Sequence, residues 1–83
     1  MDTKLEFIQF SRKWESASIL GNKRISESYH DWMAGKYRWY VKDSEGVLHE
    51  GSEDTPEAAP LKALSLLREL YPDHEIQERV WTY

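Results

Sequence analysis

The chain has 83 residues with four Trp, five Tyr and no Cys, and 11 Lys+Arg against 15 Asp+Glu give it a formal charge of -4. That length allows one domain over residues 1–83, with a single core and at most a shallow groove. The missing cysteine excludes a disulfide framework, a thiolate zinc site and a thiol nucleophile, and it points to a reducing, cytoplasmic setting.

Thr3 and Glu6 have the spacing of a capping box. Phe7, Phe10, Trp14 and Ala17 then recur at steps of three and four, widened by Leu5 and Ile8, and Gly21 stands where a helix would stop. The spacing predicts a helix over residues 4–20. The start Met1-Asp2-Thr3-Lys4-Leu5-Glu6 is acidic where a secretory signal needs base, and no apolar run is long enough to span a membrane.

Residues 24–35 read two ways. Ile25, Tyr29, Trp32 and Met33 fit a short helix or an irregular turn. Alternatively, Arg24 to Trp32 is a strand that turns at Ala34-Gly35, as Tyr and Trp favour strands, but the helical spacing fits slightly better and the short helix or irregular turn is the expectation. The stretch Lys36-Tyr37-Arg38-Trp39-Tyr40-Val41-Lys42 alternates, with Tyr37, Trp39 and Val41 toward a core and Arg38 and Tyr40 away from it. Asp43 and Gly46 suit a type I turn closed by a left-handed glycine, after which Val47 to Gly51 returns. A three-residue turn sets Val41 opposite His49 and Tyr40 opposite Glu50.

Thr55-Pro56-Glu57 opens a second helix over residues 56–71, unless Pro60 delays its start. Leu61, Leu64, Leu67 and Tyr71 form its apolar stripe, and Pro72 ends it. Residues 75–82 predict a last strand, with Ile76 and Val80 on one face and Gln77, Arg79, Trp81 and Tyr83 on the other. The sum is an α+β fold: a small antiparallel sheet, made of the hairpin 36–51 and the strand 75–82, with the two helices packed on one face.

No catalytic constellation stands out. The three His lack ligand spacing, there is no Gly-x-Ser-x-Gly, and the four Gly are isolated. We therefore expect neither enzyme activity nor a cofactor or metal. Residues 1–44 carry a net +2 and residues 45–83 a net -6. An acidic series, Glu45, Glu50, Glu53, Asp54 and Glu57, runs from the hairpin tip into the second helix. Such carboxylates either form a solvated rim or imitate phosphates toward a basic protein surface. The candidate partner-binding residues are Arg38, Tyr40, Glu45, Glu50, Glu53 and Asp54, with Trp81 and Tyr83 as terminal aromatic anchors unless they close the core.

The Thr-Pro-Glu-Ala-Ala helix opening after an aromatic hairpin resembles small phage and prophage α+β proteins. If residues 24–32 are a strand, the helix–strands–helix order is also similar to the double-stranded RNA-binding domain. That family requires a basic start to its second helix, where this chain has Glu53-Asp54-Thr55-Pro56-Glu57. The expectation is thus a small acidic protein-interaction module, monomeric or weakly dimeric. In its most specific form it is a phage or mobile-element protein that inhibits a host nucleic-acid-handling protein. The alternative is a weak single-strand nucleic-acid binder using Lys36, Arg38, Tyr40 and Lys42.

Overall fold

The computed structural model describes residues 4–82. The elements in chain order are β1 (Leu5–Phe10), β2 (Ser16–Leu20), β3 (Lys23–Asp31), β4 (Lys36–Lys42), β5 (Leu48–Glu53), α1 (Ala58–Leu70) and β6 (Ile76–Trp81). They build one mixed sheet of six strands in the order β5-β4-β3-β2-β1-β6. Strands β1 to β5 form an antiparallel meander, and β6 lies parallel to β1. A parallel neighbour cannot be reached by a tight turn, and α1 supplies the crossover.

This corrects the expected architecture. The fold is mostly β, with one short helix on a six-stranded sheet, rather than two helices on a small antiparallel one. The expected helix over 4–20 is the β1–β2 hairpin, so the helix–strands–helix order is not present. Thr3, half of the expected capping box, lies outside the described residues. Glu6 sits in β1, with its carboxylate against Lys4 and Arg79. Helical spacing misled here because β1 carries apolar side chains on both faces: Leu5 and Phe7 on one, Ile8 and Phe10 on the other. The reversal after Phe10 is held locally. The Phe10 N–H donates to the Glu15 carbonyl at 3.0 Å, and the Gln9 amide donates to the carbonyls of Lys13 and Glu15, each at 3.1 Å. Gly21 is no helix stop. With φ 66° it takes the first position of the two-residue β2–β3 connection, where a II′ turn places glycine.

Residues 24–35 follow the strand alternative, with the turn beginning after Asp31. The β4–β5 hairpin stands in the expected register, Val41 opposite His49 and Tyr40 opposite Glu50. The helix starts between the two expected points. Pro60 falls in its first turn, where a missing N–H costs nothing, and the first ladder bond runs from the Leu61 N–H to the Glu57 carbonyl. Thr55 is not the cap; Glu57 holds that position without a side-chain bond.

The core forms where α1 lies over β3 and β4. Leu5, Phe7, Ile25 and Val41 from the sheet meet Ala63, Leu64, Leu67 and Tyr71. Ile25 is the extra residue of a bulge, since Ser18 pairs with Ser26 and Ile19 with Arg24. Around it, β2 and β3 present serines inward. Ser16, Ser18, Ser26 and Ser28 are all buried, and the Ser16 and Ser28 hydroxyls share a 2.6 Å hydrogen bond. The Ser18 and Ser26 hydroxyls, on residues directly opposed across the strands, make no hydrogen bond. Tyr71 closes the C-terminal end of the layer, its hydroxyl donating to the Lys42 carbonyl at 2.6 Å.

Two substitutions probe this packing. Gly51 stands opposite Trp39, and a Cβ there would come within 2.8 Å of the indole. Gly51→Ala is expected to lower stability by about 1–3 kcal/mol, the usual cost of overpacking, in urea unfolding followed by tryptophan fluorescence. Tyr71→Phe removes the bond to Lys42 and is expected to cost about 1 kcal/mol in the same assay.

Candidate protein-binding face

One helix covers one face. Among the described residues the opposite face of the sheet carries no second layer, and the register fixes what it displays. One row runs Glu50, Tyr40, Glu27, Ala17, Ile8 and Arg79 from β5 to β6. The next row holds Ser52, Arg38 and Tyr29, and at its far end Phe10 beside Trp81. The β3–β5 side is therefore aromatic and charged, and the β1–β2 side is aliphatic. Between Tyr29, Arg38, Tyr40, Leu48, Glu50 and Ser52 lies a shallow depression of about 290 Å³.

The polar groups of this face are held by partners within the sheet. The Arg38 Nε donates to the Asp31 carboxylate at 2.7 Å. That bond keeps Asp31 below the ordinary carboxylate range and raises the guanidinium further above neutrality. The Tyr40 hydroxyl donates to Glu27 at 2.7 Å, and burial together with that carboxylate pushes the phenol up to about 12. Lys36, pointing the same way at the strand end, is paired with Asp54.

The sequence-predicted residues are only partly gathered. Arg38, Tyr40 and Glu50 stand together around the depression. Trp81 shares their face but sits on β6, four strand spacings from β4, or about 19 Å. Glu53 faces the helix side, where it accepts from the Trp39 indole N–H at 3.1 Å. Asp54 lies beyond the end of β5, and Glu45 lies in the turn at its other end. Tyr83 lies outside the described residues. Sequence reasoning missed Tyr29, Glu27 and Asp31, whose alternation was visible only under the strand reading of residues 24–32. It also missed Phe10 and Ile8, which it assigned to a helix. Trp32 and Met33, exposed at the β3–β4 tip, were likewise unmarked.

The helix side has its own opening. Because α1 sits over β3 and β4, a groove of about 630 Å³ remains between the helix and the β1–β6 edge. Phe7, Pro60, Leu61, Leu64 and Val80 line it, and the Lys13–Glu57 pair lies at its rim.

Among the described residues no group of three or more His, Cys, Asp or Glu could hold a metal ion. His30 stacks on Tyr37 at 4.6 Å with Trp14 alongside, His49 bonds Asp43, and His74 meets the Tyr71 ring edge-on. Among the described residues no helix is long and apolar enough to cross a membrane. No family model matches the chain, and neither a curated protein nor a solved structure matches it.

The carboxylates that brace this hairpin give a sign for acid stability. Asp43 accepts from His49 Nε2 at 3.0 Å and from the N–H groups of Val47 and Glu45 at 2.9 Å each, which lowers it from its ordinary 3.8. Asp31 is lowered by Arg38 in the same sense. A lowered carboxylate stabilises the fold above its unfolded value, and the gain is lost as pH falls through its folded value. The melting temperature is therefore expected to fall as pH is taken from about 5 to about 2. Asp43→Asn is expected to flatten part of that fall in a calorimetric series.

Proposed function

We propose that the chain is a non-catalytic protein-interaction module that binds a partner of basic surface through the uncovered sheet face. The observation that carries this reading is a sheet face that displays Tyr29, Tyr40, Arg38 and Trp81 with no described helix or strand over it. Tyr, Trp and Arg are the side chains that dominate interface energetics. The Arg38–Asp31 and Tyr40–Glu27 bonds hold two of them in place before contact, which reduces the ordering cost of association. The charge of -4, with Glu27 and Glu50 flanking Tyr40, favours a cationic partner. A protein that ordinarily engages nucleic acid is such a partner, because carboxylates on a rigid face can occupy sites meant for phosphates.

The nucleic-acid alternative draws less support. Of the three cations on the outer face of β4, Lys36 and Arg38 are already paired with Asp54 and Asp31. A phosphate would have to displace those carboxylates while lying beside Glu50.

The test is affinity capture with the intact chain, followed by titration of whatever protein is retained. Tyr40→Ala and Glu50→Lys are each expected to weaken the complex at least tenfold, or about 1.4 kcal/mol, the first by removing a contact ring and the second by turning a carboxylate into a cation toward a basic partner. Leu61→Lys, on the helix side, is expected to leave it unchanged. Retention that depends on Leu61 and not on Tyr40 overturns the assignment of this face. A single-stranded oligonucleotide bound at about 50 mM salt and lost on Arg38→Glu would establish the alternative instead.

A further inference from the structure

Among the described residues the sheet has two edges with no strand beside them, β5 and β6, and their chemistry differs. β5 carries Glu50 and Glu53 and runs into Asp54, so two copies laid together would crowd carboxylates. On β6 the charges are already matched. The Arg68 guanidinium donates to Glu78 at 3.0 Å, and Arg79 donates to Glu6 at 2.9 Å. What β6 leaves bare is apolar, with Val80 78% and Trp81 52% exposed. Consecutive strand residues point to opposite faces, so the edge is apolar on both sides. On the helix side Val80 borders the groove of Phe7, Leu61 and Leu64. On the open side Trp81 stands beside Phe10. An unpaired edge flanked by apolar surface on both faces is a template for another strand.

Charge along β6 selects the strand that fits. Two copies laid antiparallel about a two-fold axis normal to the sheet set one residue opposite itself. With the axis at Gln77, Glu75 meets Arg79 of the second copy, but Ile76 meets Glu78 and Val80 falls opposite His74, so the apolar positions go unmatched; with the axis at Glu78 or Arg79, like charges face each other, which is unfavourable. With the axis at Val80, Val80 meets Val80 of the second copy. Arg79 then lies beside Trp81 of that copy, a cation–π pairing made twice, and Glu78 lies opposite Thr82. The structure assigns this edge to self-association: we propose that two chains pair β6 to β6, antiparallel and centred on Val80, into one continuous sheet of twelve strands. This interface uses the sheet edge; it shares Trp81 with the proposed partner-binding face, but its test at Val80, on the helix side, is independent of that face. One strand pair buries less than the roughly 1,200 Å² below which complexes are typically weak, so the dimer forms at high concentration.

Because the residue on the axis faces its own copy, charge exchange tests the register. Sedimentation equilibrium of the intact chain from about 10 µM to about 1 mM is expected to show a concentration-dependent dimer. Val80→Lys and Val80→Glu are each expected to weaken it at least tenfold, by placing like charges on the axis. An equimolar mixture of the two variants is expected to recover a heterodimer, since Lys then meets Glu. Val80 is exposed, so neither variant disturbs the core, and circular dichroism melts confirm the fold of each. A wild-type chain that stays monomeric throughout overturns the proposal. So does a dimer that neither variant weakens, or a mixture that recovers nothing.

Discussion

A helix of thirteen residues has to cover a sheet of six strands, and it is too small to do so. Such a helix is about 20 Å long and 10 Å across with its side chains. The outermost strands of the sheet stand about 24 Å apart. The helix settles over β3 and β4, where Val41 and Ile25 receive Leu64 and Leu67, and Tyr71 fixes its end on the Lys42 carbonyl. Everything left uncovered follows from that position. Among the described residues no helix covers the second sheet face, and on the helix side a groove stays open between α1 and the β1–β6 edge. Among the described residues, the segments that could build a second layer already form the sheet.

The same shortage of covering surface shapes the interior. Most inward positions of β2 and β3 are serines rather than aliphatics, while Ala17 and Ile19 face outward. The usual in–out pattern is thus inverted in the middle strands. That inversion is why β1 to β3 were hard to read from sequence. In both β1 and β2 the apolar residues mark both faces, with Leu20 inward and Ala17 and Ile19 outward in β2, so the period-two signal vanishes and a helical spacing emerges by coincidence from Phe7, Phe10 and Trp14. The β4–β5 hairpin was legible for the opposite reason. Tyr37, Trp39 and Val41 all face inward, and Asp43 and Gly46 have one structural use each. The helix was legible from its leucine stripe, and β6 from Ile76 and Val80. That β6 joins β1 in parallel was not legible, because it depends on where the helix crosses rather than on any residue in the strand.

The candidate site divides along the same line. Arg38, Tyr40 and Glu50 could be placed together because they lie within one hairpin whose register the turn fixes. Tyr29, Phe10 and Ile8 join them only through strand neighbours that the sequence concealed. The electrostatics were less legible still. Arg38 and Lys36 read as free cations along the chain, and their partners Asp31 and Asp54 become neighbours only in the folded sheet. Those pairings neutralise two cations of a stretch that reads as a phosphate-binding strand and leave the Glu50 carboxylate beside them.

The two proposed surfaces also bear on one another. A two-fold axis normal to the sheet keeps both copies the same way up, so the uncovered face of one chain continues into that of the other. The two Arg38–Tyr40 regions would then lie nine strand spacings apart, about 40 Å along the sheet. A face that buries only a shallow depression binds weakly by itself. Two such faces on one rigid platform gain from effective concentration whenever the target repeats its own basic surface at a matching distance. Paired β6 edges would remove the most apolar exposed strand of the chain from solvent. The acidic β5 edges, held apart by their own charge, would become the ends of the assembly.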